Sequence, residues 1–231
     1  MVISIIIEGG VLPGDNVSAA TMDNVESLRQ SLHRIFTKVL SDREDISIKI
    51  IPQAGRKQTV KTYLVAGEDS FLFVDLDMPK SQKQQWFDNL ANEPTKPICI
   101  PAEKKDSIFF MIQEMEAWIL KQPKAIYKWA IEYNNYLTKR PNENLADHTL
   151  LRNRDVEDIE KPSNVLNKLI TTFFEKEVSG RNADKKRLSK VRYTKLKEGA
   201  ELLDCLNVSL LVAQDDELQR FKTTIEKTHN D

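Results

Sequence analysis

The chain has 231 residues, 40% hydrophobic and 30% charged, with 34 Lys+Arg against 35 Asp+Glu for a formal net charge of −1. A chain of this length buries roughly 70% of the surface its unfolded form exposes, so it needs no disulfide or metal staple. The neutral total excludes an overall basic protein held to nucleic acid by phosphate neutralisation alone, and any such role must rest on local charge.

Cys99 and Cys205, the two cysteines, are far apart in sequence, which argues against a disulfide scaffold or a Cys-based zinc site. They fit a reducing compartment, with the cytoplasm as the expected location. Residues 1–7 are apolar but lack a basic n-region and run straight into Glu8-Gly9-Gly10. Nowhere do about 18 apolar residues run together, so neither a signal peptide nor a membrane partner is expected.

In chain order, the first apolar run is Val2-Ile3-Ser4-Ile5-Ile6-Ile7, a strand by its length and β-branched content. Residues 22–40 follow with Val25, Leu28, Leu32, Ile35, Phe36 and Val39 spaced by three and four, an amphipathic helix that Thr21 or Asp23 could cap. Ile46-Ser47-Ile48-Lys49-Ile50-Ile51 is a second strand and residues 57–66 a second helix. Phe71-Leu72-Phe73-Val74 is a third strand and residues 81–90 a third helix. Pro97-Ile98-Cys99-Ile100 and Ile108-Phe109-Phe110-Met111-Ile112 complete the strand-like runs. Strands alternating with helices predict an α/β fold, a mostly parallel sheet flanked by helices.

After Glu114 the pattern becomes helical, over residues 114–121, 124–133, 162–174, 194–203, 209–213 and 215–227. Residues 137–160 are polar and read as a long loop. Two parts are therefore expected, an α/β domain over 1–120 and a helical C-terminal extension over 121–231 packed on it. The charge divides with them: 13 basic and 17 acidic residues up to Leu120, 21 basic and 18 acidic beyond it.

The chemistry is concentrated where two strands stop. Glu8 ends the first strand and is followed by two glycines, whereas Asp75 and Asp77 end the third. Ligands of a parallel sheet bind outside the carboxyl ends of its strands. On an extended chain Asp75 and Asp77, two apart, face the same side and could share a cation. Carboxylates clustered there repel one another unless a cation compensates, and hard oxygen donors without His or Cys favour Mg²⁺ or Mn²⁺. Phosphoryl transfer is the expected chemistry. The alternative is that strand-terminal acids are merely solvated or cap the next helix.

Glu-Gly after the first strand, a helix, then a strand ending in Asp-x-Asp resembles the TOPRIM domain of topoisomerases, primases and overcoming-lysogenization-defect nucleases over about the first 120 residues. A fuller resemblance, to a TOPRIM-like bacterial domain-of-unknown-function family, number four-two-seven-six, rests on several further blocks. They are Ile6-Ile7-Glu8-Gly9-Gly10, Gly55-Arg56, Phe73-Val74-Asp75-Leu76-Asp77, the run from Phe110 to Trp118 that includes Gln113-Glu114-Met115-Glu116-Ala117, Ile159-Glu160-Lys161-Pro162 and Tyr193-Thr194-Lys195. The resemblance implies a metal-dependent nuclease of phage defence, often encoded beside an ATPase. Glu8 would be general base or metal ligand, and Asp75 and Asp77 metal ligands. TOPRIM domains usually carry a polar residue soon after Glu-Gly; here Val11-Leu12-Pro13-Gly14 intervene before Asp15.

Glu116 is a further candidate acid at the site, with a helix-start carboxylate as its bland alternative; Trp118 is read as core. Arg56 and Lys57, at a loop-to-helix start, could hold a phosphate. From Arg181 to Lys197 eight basic residues meet one acid, Asp184. Lys186, Arg187, Lys190 and Arg192 could there track a nucleic-acid backbone, and Lys195 could neutralise transition-state charge. Lys161 is a weaker phosphate candidate. His33, His148 and His229 show no metal spacing. Two rival functions use the same residues: a non-catalytic partner or sensor subunit of an ATPase, and a small-molecule phosphohydrolase. A homo-oligomer is also compatible with the sequence.

Overall fold

The computed structural model describes residues 1–10, 18–179 and 186–228. Its elements run β1 (Val2–Glu8), α1 (Ala19–Val39), β2 (Ser47–Gln53), α2 (Gly55–Leu64), β3 (Ser70–Asp75), α3 (Lys83–Ala91), α4 (Ala102–Lys105), β4 (Ile108–Met111), α5 (Glu116–Leu120) and α6 (Pro123–Tyr127), the last continued by a π-helical turn (Lys128–Tyr133). Then follow β5 (Leu137–Thr138), α7 (Pro162–Phe173), β6 (Phe174–Ser179), β7 (Lys186–Lys190), α8 (Glu198–Asp204), α9 (Val208–Gln214) and α10 (Asp216–Thr228).

The expected α/β architecture is present. Four strands form an all-parallel sheet in the order β2-β1-β3-β4, with helices on both faces. The alternation of side chains sorts two cores. Ile3, Ile5, Ile7, Phe71, Phe73 and Phe109 face α1 and the later helices, whereas Ile6, Leu72, Val74 and Phe110 face α2 and α3, where Val60, Tyr63 and Trp86 meet them. Both faces being covered explains why β3 reads as an unbroken apolar run and is buried at every position.

Residues on both sides of position 120 share the α1-side core. Phe221 of α10 lies 5.3–5.6 Å, ring centroid to ring centroid, from Phe36, Phe71, Phe73 and Phe109 in tilted-edge contacts. Such edge-to-face pairs each add about 0.5–1.5 kcal/mol beyond the area they bury. The later helices thus complete one face of the sheet.

Several local expectations are corrected. Residues 97–100 form no strand; Ile98 is buried beside Leu90 and its N–H bonds to the Leu90 carbonyl, so its apolar side chain serves the α3 packing without joining a ladder. Ser18, rather than Thr21 or Asp23, caps α1, its side chain accepting from the Thr21 N–H at 3.2 Å. The second half is not purely helical: β5, β6 and β7 form an antiparallel sheet of their own. The charged alternation Phe174-Glu175-Lys176-Glu177-Val178 had no apolar face to announce β6. Residues 137–160, read as loop, carry β5 and two short 3₁₀ turns.

Candidate active site

Glu8, Asp75 and Met111 end β1, β3 and β4, so the carboxyl ends of three strands lie along one edge of the sheet. The glycines after Glu8 have distinct reasons. Gly9 has φ of 128°, a conformation open only to glycine at low cost, and a Cβ on Gly10 would sit 2.9 Å from the Gln53 backbone nitrogen. Both glycine N–H groups donate to the Gln53 carbonyl, which folds the turn over the end of β2. The Glu-Gly-Gly motif therefore sets the course of the chain leaving Glu8.

The extended conformation ends at Asp75. Asp77 has φ of 58° and faces Gln113, at φ 61°, whose carbonyl accepts the Asp77 N–H at 2.7 Å. Paired left-handed residues at the ends of adjacent strands are costly, each on the order of 1–3 kcal/mol, and such strain concentrates at functional sites. The consequence is that simple strand alternation does not relate Asp75 to Asp77. Asp75 accepts the Met115 N–H at 3.0 Å and is ion-paired with Lys195, while Asp77 is ion-paired with Arg56 at the start of α2.

Glu116, the first residue of α5, is entirely buried. One of its oxygens accepts the Tyr193 hydroxyl at 2.7 Å; the other, Oε2, has no hydrogen-bond partner and lies 3.9 Å from the Lys195 ammonium. Lys195 is thus placed between Asp75 and Glu116, which are 41 residues apart in sequence from each other and much further from it. Glu114 accepts the Ser163 N–H at 3.0 Å near the start of α7 and lies 3.9 Å from Lys161, itself left-handed at φ 53°.

The electrostatics agree with this crowding. Burial pushes the Glu8 carboxyl above the usual range, the charge of Asp75 adding to it and Arg56 and Lys195 opposing it. Burial likewise raises Asp75 and Glu116 although Lys195 pulls both down. Lys195 is held charged well above its ordinary value, since Asp75 and Glu116 outweigh its own desolvation. Burial and Glu116 also keep the Tyr193 hydroxyl protonated, hence a donor. The site holds more carboxylate than its two bases, Lys195 and Arg56, can neutralise.

The remaining predicted residues are not at this edge. Lys57 pairs with Glu93 at 2.8 Å. Lys186 pairs with Glu177 at 2.6 Å, Lys190 stands opposite Glu175 in the β6–β7 ladder, and Arg187 opposite Val178, so β7 carries basic side chains partly neutralised by its neighbour. Arg192 is exposed. Asp15, Arg181, Asp184, Lys185 and His229 lie outside the described residues. A groove of about 600 Å³ lined by Lys80, Lys121, Glu157 and Asp216 is a separate feature that includes none of the site carboxylates. Both cysteines are free. Among the described residues no helix is long and apolar enough to cross a membrane.

Sequence reasoning missed Gln113, the Met115 N–H and Tyr193 as parts of the site. Only Tyr193 left a usable signal, being two residues before Lys195 and so on the same side of an extended chain.

A hard divalent cation is tested by the donors present. Among the described residues no three His, Cys, Asp or Glu come together as a group that could hold a metal ion. In this arrangement Lys195 and Arg56 occupy the aspartates. The donor chemistry nevertheless suits such an ion: Glu8, Asp75 and Asp77 all offer carboxylate oxygens, and beside them Glu116 has a buried oxygen without a hydrogen-bond partner. No family model, no curated protein and no solved structure matches the chain.

Proposed function

We propose that the protein is a TOPRIM-like hydrolase of nucleic-acid phosphodiesters, dependent on Mg²⁺ or Mn²⁺, and a component of bacterial phage defence akin to the domain-of-unknown-function family four-two-seven-six. In this proposal residues 1–120 are the TOPRIM-like domain, and the helical extension over 121–231 delivers Lys195 to it. The protein works in the cytoplasm, with nucleic acid as substrate and an ATPase as partner. The observation that carries the reading is the meeting of Asp75, Glu116 and Lys195 at the carboxyl edge of a parallel sheet, beside Glu8 and Asp77.

Glu8, Asp75 and Asp77 would hold the cation, which when bound supplies Lewis-acid stabilisation of the phosphoryl charge. The chain's own residues do the rest. Lys195 and Arg56, both fixed cations, face the edge where a phosphodiester would lie and offset its developing negative charge. Glu8, whose pKa burial raises, would serve either as one of those ligands or as the base that takes a proton from the attacking water. Lys161, Arg187, Lys190 and Arg192 would bind the backbone further out, by salt-sensitive contacts.

A second reading has its own support. Asp75 and Asp77 are each already paired with a basic side chain, as a scaffold without catalysis would require. That protein would be a partner subunit of an ATPase. Incubation with single- and double-stranded DNA and with RNA in Mn²⁺, using wild type, Glu8→Gln and Asp75→Asn, separates the two. Cleavage by wild type that both variants lose supports the nuclease; equal cleavage by all three assigns it to a contaminant, and none with or without an ATPase favours the scaffold.

A further inference from the structure

Lys195 belongs to a segment, residues 191–197, without regular secondary structure, so something other than a ladder must fix its ammonium. Its anchors are few. The Val191 carbonyl accepts from Thr171, the Tyr193 N–H donates to Asn167 at 3.0 Å, and the Thr194 N–H donates to Glu198 at 2.9 Å. The anchor that reaches the site is the Tyr193 hydroxyl, 2.7 Å from Glu116 Oε1.

That bond sets which oxygen of Glu116 remains for Lys195. With Oε1 accepting from Tyr193, Oε2 is the oxygen turned toward Lys195, and it stands at 3.9 Å from the ammonium, beyond hydrogen-bond reach, while Asp75 is in direct contact. Space for the hydroxyl depends on Gly199 in α8. A Cβ there would come within 3.0 Å of the Tyr193 hydroxyl oxygen and 3.3 Å of the Met115 terminal carbon. The site therefore includes a tyrosine hydroxyl that a Cβ at position 199 would crowd.

We infer that Tyr193 is a positioning residue: by occupying Glu116 it keeps the Lys195 ammonium on Asp75, and Gly199 provides the room for its hydroxyl. Without the hydroxyl, the buried Glu116 carboxylate loses its only side-chain hydrogen bond and turns toward Lys195, drawing the ammonium off Asp75. The effect on turnover rests on the hydrolase reading above; the effect on Lys195 does not.

The test uses the full chain as wild type, Tyr193→Phe and Gly199→Ala, with two measurements. A zero-length carbodiimide couples a lysine to the carboxylate it touches, and mass spectrometry of the digest gives the ratio of Lys195–Asp75 to Lys195–Glu116 products. The wild type is expected to favour Asp75, and each variant to move the ratio toward Glu116 by about fivefold, as the loss of one hydrogen bond allows. In the Mn²⁺ cleavage assay, kcat is expected to fall on the order of tenfold with KM within about twofold, because only the placement of a charge has changed. A wild type that does not favour Asp75, or variants that leave the ratio where it was, overturns the inference whatever the activity. If the ratio moves but the wild type cleaves nothing, the positioning stands and the hydrolase reading fails. A cleavage defect expressed in KM alone overturns the kinetic half.

Discussion

Asp75 at the end of β3 is ion-paired with Lys195, 120 positions further along the chain. The aspartate is buried, while the lysine side chain keeps 40% of its exposure, so the pair joins the sheet edge to solvent. Lys195→Ala leaves the buried Asp75 without its ion pair beside Glu116. We expect a loss of about 1–3 kcal/mol in urea unfolding, less than a fully buried pair would show because water reaches the lysine. The double variant Asp75→Asn with Lys195→Met should recover most of it, since neither charge then remains.

Stability should respond to pH through the same carboxylates. Glu8, Asp75 and Glu116 have folded pKa values raised above their ordinary ones by burial. Their contribution to stability is complete below those ordinary values of 4.5 for Glu and 3.8 for Asp, and is lost as pH rises through the raised ones. Glu26 and Asp45 oppose this trend: hydrogen bonds from Arg29 and Arg43 depress both to about 2, and what they contribute is lost below their ordinary values. Tm should therefore rise as pH falls toward the ordinary carboxylate values of 4.5 and 3.8, and decline below them. Glu116→Gln should flatten the rise, and a Tm independent of pH over the upper range in wild type would remove the electrostatic description of the site.

The glycine turn offers a test free of charge. Gly10→Ala places a Cβ 2.9 Å from the Gln53 backbone, and Gly9→Ala forces an L-residue to φ 128°. Each should cost about 1–3 kcal/mol by urea denaturation, from overpacking in the first case and backbone strain in the second. Gly67→Ala, where a Cβ meets nothing within 4 Å, should be nearly neutral by comparison.

Asp215, 1% exposed, accepts the Trp118 indole N–H at 2.8 Å and the Lys121 ammonium at 3.0 Å, and its other oxygen takes the Leu218 N–H at the start of α10. Asp215→Ala strands an indole N–H and removes one carboxylate from a lysine that retains Glu157 and the Gln214 carbonyl. A loss of about 3 kcal/mol is expected, with Asp215→Asn milder because it still accepts one hydrogen bond. Thermal unfolding followed by tryptophan fluorescence measures it.

Much of the fold was legible because its signals are local. Apolar spacing of three and four marks α1 from Leu28 to Val39, and short β-branched or aromatic runs mark β1, β2, β3 and β4. Pro97-Ile98-Cys99-Ile100 carries the same composition as those strands, yet its one buried residue, Ile98, packs under α3; composition cannot tell a ladder from a packed coil. β6 and β7 are charged on both sides and gave no periodic apolar face. At the site, Glu8 and Asp75 were readable as strand ends. The left-handed turn at Asp77 was not, because it depends on Gln113, two residues beyond the end of the neighbouring strand. Nor were the Asp75–Lys195 pair and the Tyr193 bond to Glu116, which join distant segments and have no counterpart in local spacing.

The cation itself tests the central claim most directly. A crystal of the wild-type protein soaked in Mn²⁺, with its position fixed by anomalous scattering, should show an ion within about 2.0–2.4 Å of oxygens from at least two of Glu8, Asp75 and Asp77. Saturating Mn²⁺ with no ion at this edge would contradict the account and leave the carboxylates as a structural ion-pair network.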